Sequence, residues 1–400
     1  MSRKRNFLKT IIILILIPIF IFLLFKQYKS ENECDMEAPI LTSEENHEIV
    51  EETPKEKITK IKFSCTGDTM VHNTQFKDAY KNGAYDFSYV FEEIKPYISD
   101  ADFAIGNLET TFKGDGNYSG YPMFNSPEIL ANNLKDVGYD VLTTANNHSL
   151  DTGYTGIENT INVLDSVGIA HTGTFKSIED HDQNLYIEKD GVKIAIFAYT
   201  YGTNGIAVPK GKEYCINIID NDSILKNIES AKANNTDIII ACMHWGVEYN
   251  TSPNQSQKDL ANLLFENGVD IIIGNHPHVL EPAEKRTITL DDGSTKDCFV
   301  VYSLGNLVSG QTQTNTRTSI VLNLEVSKSN MKQGITIDNI DYIPIYTYTN
   351  PKFQNYKLID INKELQKYDS KDSTSVINSS NHSFFVSEIQ RLNTMYENIK

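Results

Sequence analysis

The sequence predicts an α/β fold in which several strands end along one sheet edge. Short apolar runs typical of buried strands alternate with amphipathic segments typical of helices through residues 58–350. Polar motifs lie at or beside the ends of these apolar runs. Because the carboxyl ends of parallel strands line a common crevice, we expect side chains distant in sequence to meet there. The 400 residues, 40% of them hydrophobic, are sufficient for a large core.

The elements follow from local patterns. Ser126 caps a helix with Pro127 in its first turn, and Gly138 stops it. The predicted strands are Ile58–Cys65, Ala101–Ile105, Val141–Thr144, Val192–Tyr199, Ile238–Met243, Val269–Ile273 and Phe299–Ser303, then two antiparallel strands, Thr318–Val326 and Ile335–Tyr346. The predicted helices are Val90–Ile98, Pro127–Val137, Gly156–Val167, Asp222–Asn234, Gln255–Glu266 and, in a C-terminal extension of residues 351–400, Ser387–Ile399.

The amino terminus has the pattern of a membrane anchor. Residues 1–6 form a basic cytoplasmic stub, and residues 7–25 are apolar enough for a transmembrane helix of about 28 Å. The alternative is a cleaved signal peptide, for which no small-residue cleavage site follows Phe25. Residues 26–57 are rich in Glu and predict a disordered tether. The basic flank stays inside, so the following domain is expected outside the membrane.

Charge and cysteine content exclude some functions. The net charge is −17 although the first thirty residues carry six Lys/Arg and no acidic residue, so the folded part is strongly acidic. Nucleic acid is therefore an unsuitable partner, whereas metal cations would be attracted. The five Cys form no close pair, so we expect no CxxC metal or redox motif and no essential disulfide framework.

The strand-end motifs contain the donors of a metal centre. Carboxylate, amide and imidazole groups together suit Mn, Fe or Zn. Two such ions about 3.5–4 Å apart could clamp a phosphoryl group and ionise a water. The candidate ligands are Asp68, Glu109, Asn147, His244, His276 and His278, with His72 and Asn107 as further candidates.

Each motif has a simpler interpretation beside the chemical one. His276 and His278 leave a strand in alternation and can face one ion cluster, but they could also be surface loop histidines. His148 could protonate a leaving oxygen, with Asp151 orienting its imidazole; the alternative is a turn with capping Asn residues. Either Asn107 or Glu109 could face the ions, and charge favours Glu109 as the bridge. The segment 302–306 is expected to be a structural turn lining the pocket.

In this order, the motifs resemble those of the CapA family of capsule and poly-γ-glutamate synthesis proteins, over about residues 60–344. The resemblance implies a calcineurin-like metallophosphoesterase fold, a four-layer α/β/β/α sandwich, in a protein anchored at the outer surface of a bacterial membrane. By position it implies a metal carboxylate at Asp68, a metal-binding Asn147 beside a catalytic His148, and histidine ligands at His244, His276 and His278.

Two departures from the wider phosphoesterase pattern leave the bridging ligand and hydrolytic competence open. That pattern begins with Asp-x-His, whereas His72 lies four residues beyond Asp68. Its second motif has a bridging Asp, whereas Asn107 stands there and Glu109 follows.

Three functions are consistent with these features. The first is a membrane-anchored protein acting in synthesis or export of a capsular anionic polymer, alongside other subunits of a polymer-synthesis complex. The second is a surface metallophosphoesterase with another phosphoester substrate, which would be a divalent-metal-dependent hydrolase. The third is a non-catalytic binding module at the cell surface.

Overall fold

The computed structural model describes residues 55–289, 293, 295–332 and 334–399. The predicted stub and anchor, and the tether up to residue 54, lie outside these residues. No helix in the described part of the chain is long and apolar enough to cross a membrane. Residues Glu56–Lys400 form one compact unit.

Strands supply most of the regular structure. In chain order they are β1 (Ile58–Thr69), β2 (Tyr80–Lys81), β3 (Ala84–Tyr85), β4 (Phe103–Leu108), β5 (Val141–Thr143), β6 (Ala170–Thr172), β7 (Leu185–Lys189), β8 (Val192–Thr200), β9 (Ile238–His244), β10 (Ile271–Asn275), β11 (Ala283–Thr289), β12 (Thr295–Val301), β13 (Asn306–Val308), β14 (Thr318–Ser329), β15 (Thr336–Tyr348) and β16 (Lys357–Asp360).

Helices connect the strands and cover the sheets. They are α1 (Asn73–Ala79), α2 (Ser88–Phe91), α3 (Lys95–Ser99), α4 (Ile129–Val137), α5 (Gly153–Val167), α6 (Ile178–His181), α7 (Asn221–Ala233), α8 (Gln255–Glu266), α9 (Ile361–Asp369) and α10 (Ser379–Met395). Short 3₁₀ turns lie at Glu213–Cys215, Thr314–Thr316 and Glu397–Ile399.

Two large sheets organise the described residues. The first has the order β16-β15-β14-β1-β4-β5-β6, with β13 also paired to β1. Its β1, β4, β5, β6 and β13 are parallel, and β14, β15 and β16 add in antiparallel fashion. The second has the order β11-β12-β10-β9-β8-β7, with a parallel centre from β8 to β12. The carboxyl ends of the central strands of each sheet can therefore present side chains to one site.

The sheets pack face to face and helices cover their outer faces. Cys65 and Ile240 belong to the apolar layer between the sheets. On the outer face of the first sheet, Leu134 of α4 packs among apolar residues of β4 and β5, and Leu264 of α8 does so on the second sheet. The predicted mixed α/β fold is confirmed, with layers that run helix, sheet, sheet, helix.

Some element predictions were wrong. The helix predicted over Val90–Ile98 is two short helices, α2 and α3, because Pro96 lacks a backbone N–H and starts a new helix in the first turn of α3. The C-terminal helix begins earlier than predicted, at Ser379, because the Asn378 side chain accepts hydrogen bonds from the N–H groups of Ser380 and Asn381. The strands β6, β7, β11, β13 and β16 were not predicted.

Candidate metal centre

Asp68 lies at the carboxyl end of β1, where β1 pairs with both β4 and β13. Its side chain is fully buried. Asn107 Nδ2 donates to Asp68 Oδ1 at 2.8 Å, and the backbone N–H of His276 donates to Oδ2 at 3.3 Å. These donors from the two sheets fix the orientation of the carboxylate.

His278 follows β10 and faces Asp68 across the two sheets. Its Nδ1 lies 3.2 Å from Asp68 Oδ2 and 3.0 Å from Asn306 Oδ1. Both partners are acceptors, so Nδ1 donates and Nε2 keeps its lone pair. Nε2 lies 3.9 Å from Glu109 Oε1. One ligand atom each from Asp68, Glu109 and His278 lies within 4.8 Å of the others, so these residues form a buried ligand group.

A second set of potential metal ligands surrounds His244, the last residue of β9. Its Nε2 lies 2.7 Å from Asn147 Oδ1 and 3.7 Å from Glu109 Oε1. Its ring centroid is 4.9 Å from that of His276. Asn147, His244 and His276 thus lie together beside Glu109, and His244 Nδ1 is also 4.0 Å from Asp68 Oδ1.

Glu109 is the side chain that most clearly fits a cation. It is fully buried, and neither of its carboxylate oxygens has a hydrogen-bond partner among the described residues. Burial, and then the neighbouring Asp68 carboxylate, raise its pKa well above the ordinary value. A buried carboxylate without donors is costly unless an ion offsets its charge. The donor set therefore fits divalent cations, which carboxylate, amide and imidazole groups bind.

Asn107 has both ends of its amide occupied. Its Nδ2 donates to Asp68, and its Oδ1 accepts a hydrogen bond from Thr143 Oγ1 at 3.0 Å. Of the two candidates for the bridge, Glu109 is therefore the one with free oxygens.

Burial favours the neutral form of His244 and His276, which is the form that binds metals. Burial lowers the pKa of His276 to about 3, with the neighbouring His278 as the next cause. Burial also lowers the pKa of His244 well below its ordinary value. His276 Nδ1 is buried and has no partner among the described residues, so it is available to a ligand.

His148 and Asp151 form a buried pair beside this centre. His148 Nδ1 lies 2.7 Å from Asp151 Oδ2, and the backbone N–H of Phe124 donates to the same oxygen at 2.6 Å. The Phe124 ring meets the His148 ring edge-on at 4.6 Å. These contacts hold the imidazole in one orientation and leave Nε2 as the ring nitrogen that can exchange a proton with a ligand.

His72 is in neither of the two ligand groups found among the described residues, and its ring contacts are with a different set of atoms. Its Nδ1 accepts a hydrogen bond from the backbone N–H of Gly310 at 3.0 Å, and its ring packs against Phe124 at 5.0 Å. Burial lowers its pKa to about 4. The geometry gives His72 a role in tying the segment after β1 to the loop after β13.

Sequence reasoning assigned no role to Glu248 and expected only a structural one of Asn306. Glu248 is exposed, and its carboxylate lies within 4.8 Å of ligand atoms of His276 and His278. Asn306 Oδ1 accepts from His278 and thereby orients a ligand. Both residues belong to motifs that can be recognised in the sequence: Glu248 follows His244-Trp245-Gly246, and Asn306 ends the turn at residues 302–306. Their positions in these motifs could have identified them as candidates.

Comparison with known proteins agrees with these motifs. The profile of the family described as bacterial capsule synthesis protein PGA_cap matches residues 62–311. The PGA biosynthesis protein CapA of Bacillus subtilis is 31% identical over 288 residues, covering 70% of this chain and 72% of that protein. The capsule biosynthesis protein CapA of Bacillus anthracis is 28% identical over 271 residues, covering 66% of this chain and 63% of that protein.

Similar solved structures are distant in sequence. The calcineurin-like phosphoesterase YfkN from Bacillus subtilis has a TM-score of 0.44 at 15% identity, covering 78% of this chain and 98% of that chain. The NAD nucleotidase NadN of Haemophilus influenzae has a TM-score of 0.46 at 12% identity, covering 84% of this chain and 61% of that chain. The family profile spans more than half of the sequence, and the chain therefore belongs to the bacterial capsule synthesis protein family PGA_cap.

Proposed function

We propose that this protein acts in the synthesis or export of a capsular anionic polymer and carries a two-ion metal centre able to hydrolyse a phosphoester. The observation that supports the centre is Glu109, a fully buried carboxylate without hydrogen-bond partners among the described residues. Its Oε1 lies within 4 Å of both His244 Nε2 and His278 Nε2. Family membership and the names of its relatives support the role in capsule synthesis.

The residues divide between two cation positions that share Glu109. Asp68 and His278 would hold one ion, and Asn147 and His244 the other. His276, whose ring neighbours those of His244 and His278, would be a further ligand. The metal would be Mn, Fe or Zn, because imidazole and carboxylate together suit these ions. Two ions held there would supply electrostatic stabilisation of a phosphoryl group.

His148 is the proposed proton donor. Hydrolysis forms a bond from water oxygen to phosphorus and breaks the ester P–O bond. The water would release one proton to solvent, and the departing alcohol oxygen would gain one from protonated His148. Asp151 holds His148 through Nδ1, which leaves Nε2 to deliver that proton. The backbone N–H of Phe124 keeps Asp151 aligned.

The location and partners are proposed from the sequence. A single membrane span at residues 7–25 and a tether at 26–57 would hold the domain outside the bacterial membrane, next to other subunits of a polymer-synthesis complex. The acidic charge of the chain disfavours direct binding of an anionic polymer.

Metal content and turnover of the full-length protein test the proposal. We expect bound Mn, Fe or Zn in the purified protein and Mn²⁺-dependent hydrolysis of bis(p-nitrophenyl) phosphate. Both should be lost in Glu109→Gln and His276→Ala. Glu364→Gln is the matched control, because Glu364 is equally buried but lies in α9 and bonds Lys367. Protein that neither retains nor binds these metals would refute the centre.

The role in capsule synthesis is tested in cells. Cells producing His276→Ala should lose surface polymer at unchanged protein level. Bound metal without turnover, together with lost polymer, would favour an accessory role that does not hydrolyse phosphoesters. Unchanged polymer in these cells would contradict the role proposed for the centre.

A further inference from the structure

Three tyrosines with exposed rings lie around the metal centre, each on a different loop. Tyr201 follows β8 and is 44% exposed, Tyr249 follows β9 and is 46% exposed, and Tyr121 lies before α4 and is 69% exposed. Met123 and Val247, beside them in sequence, are exposed as well. Large apolar side chains exposed together indicate a binding surface more often than scattered single ones do.

Tyr201 lies directly against the ligand histidines. Its ring centroid is 4.4 Å from that of His276, and its ring is nearly parallel to that of His244 at 6.4 Å. Its backbone N–H donates to His244 O, and its hydroxyl donates to Asn204 Oδ1 at 3.4 Å. Asn204 Oδ1 also accepts from Asn147, so the exposed ring is fixed relative to the ligands.

Tyr249 is held in a strained backbone conformation. Its φ is +68°, in the left-handed region that is unfavourable for a bulky L-residue. A hydrogen bond from its backbone N–H to Pro277 O, at 2.8 Å, keeps it there. Its ring lies 6.2 Å from that of His278 and is half exposed, so core packing does not account for the strain. Strain of this kind concentrates at functional sites.

The mouth of the centre is its exposed side at Tyr201, Tyr249 and Glu248, where no described Lys or Arg forms a pair. Among the described residues, no Lys or Arg makes a hydrogen bond or ion pair with the ligands or with the three tyrosines. The charged side chain at the mouth is Glu248, which is acidic. A polyanion held beside the ions would need cationic neighbours, whereas a flat uncharged ring can stack on tyrosine faces.

We propose that Tyr201 and Tyr249 form a stacking subsite for an uncharged ring-bearing group esterified to the phosphoryl group at the metal centre. The inference rests on the proposed function, because it places the phosphoryl group between the ligands. Tyr201 beside His276 and Tyr249 beside His278 would contact the esterified group on the outer side of the centre. The substrate is then a phosphoester of a ring-bearing alcohol, and an anionic polymer chain is not the occupant of this mouth.

Binding of phosphonates to the full-length, Mn²⁺-loaded protein tests the subsite. By calorimetry we expect phenylphosphonate to bind about tenfold more tightly than methylphosphonate or butylphosphonate, since aromatic stacking contributes about that factor. The Tyr201→Ala/Tyr249→Ala double variant should lose this preference while keeping its metal content and its affinity for methylphosphonate. Tyr80→Ala, an exposed tyrosine of β2, should keep the preference.

The outcomes separate the two proposals. Equal affinity for phenylphosphonate and butylphosphonate would overturn the stacking subsite and leave the metal centre standing. Displacement of phenylphosphonate by γ-glutamylglutamate would also overturn it, because the mouth would then accept an anionic chain. Metal-loaded protein that binds none of the phosphonates would overturn both proposals.

Discussion

Side chains at the centre differ in how firmly their surroundings hold them. Asp68 accepts hydrogen bonds from Asn107 Nδ2 and from the backbone N–H of His276. The orientation of His278 is fixed by its contacts with Asp68 and Asn306. Glu248, in contrast, is exposed. A cation bound near Glu248 would therefore be more accessible to solvent than one bound at the buried Asp68.

Glu248→Gln should weaken cation binding at the exposed side of the centre, where Glu248 lies near both His276 and His278. The amide keeps the size of the side chain but removes a charge from the group with His276 and His278, and charge count sets the affinity of such sites. We expect the affinity for one Mn²⁺ to fall about tenfold, measured by calorimetric titration of metal-free full-length protein. Glu229→Gln, an exposed change on α7, is the control. Two unchanged Mn²⁺ sites in Glu248→Gln would exclude Glu248 as a ligand.

Strands β1 and β10 deliver ligands because each has a glycine where another backbone comes close. A Cβ on Gly67 would lie 1.9 Å from Gly305 O, and one on Gly274 would lie 1.9 Å from Tyr302 O. Gly67 directly precedes Asp68, and Gly274 stands two residues before His276. The absence of a side chain at each position lets the neighbouring backbone approach, and this approach sets where the ligands lie.

Gly274→Ala should therefore reduce both stability and metal binding. The added methyl group would meet backbone rather than a side chain that can move, so the strand must shift. We expect a loss of about 3 kcal/mol in the free energy of unfolding, measured with urea, and weaker Mn²⁺ binding. Gly202→Ala is the matched control, since a Cβ there has no heavy atom within 4 Å and the residue has no positive φ. Wild-type stability in Gly274→Ala would show that the approach of the two backbones is not rigid.

The parts that sequence predicts well are those set by long apolar runs. The run Ile238–Met243 allowed both the strand and the position of His244 at its end to be predicted, because a buried parallel strand is apolar along its whole length. The position of Tyr249 beside the metal centre could not be predicted from the sequence. It depends on a hydrogen bond from the Tyr249 backbone N–H to Pro277 O, which lies on a different loop. The short strands β6 and β13 were missed since three residues carry no readable period.

At the scale of the molecule, the centre joins the two sheets. Asp68 leaves the first sheet and His278 leaves the second, and their side chains meet at 3.2 Å. Cations bound there would favour the folded over the unfolded chain, because only the folded chain brings these ligands together. The same end of the second sheet also holds the C-terminal helix: Tyr396 donates its hydroxyl to Glu281 O at 3.2 Å.

Glu281, which lies where the C-terminal segment contacts the second sheet, makes the stability of the fold depend on pH. Its side chain is buried, accepts from Gln257 of α8 at 2.7 Å through Oε2, and has no partner for Oε1 among the described residues. Burial raises its pKa from 4.5 to about 7. The folded chain therefore holds this proton over a range in which the unfolded chain has released it. The contribution of Glu281 to the free energy of unfolding is therefore fully present below pH 4.5, and it is lost as the pH rises through 7.

Glu281→Gln should remove that dependence, because the amide stays neutral at every pH. The free energy of unfolding of the variant relative to wild type should increase by about 3 kcal/mol between pH 4.5 and pH 8. Urea unfolding of the two full-length proteins at both pH values measures this difference. A constant offset from the altered hydrogen bond to Gln257 cancels in the comparison. A difference that does not change with pH would mean that the folded protein ionises Glu281 as readily as the unfolded chain does.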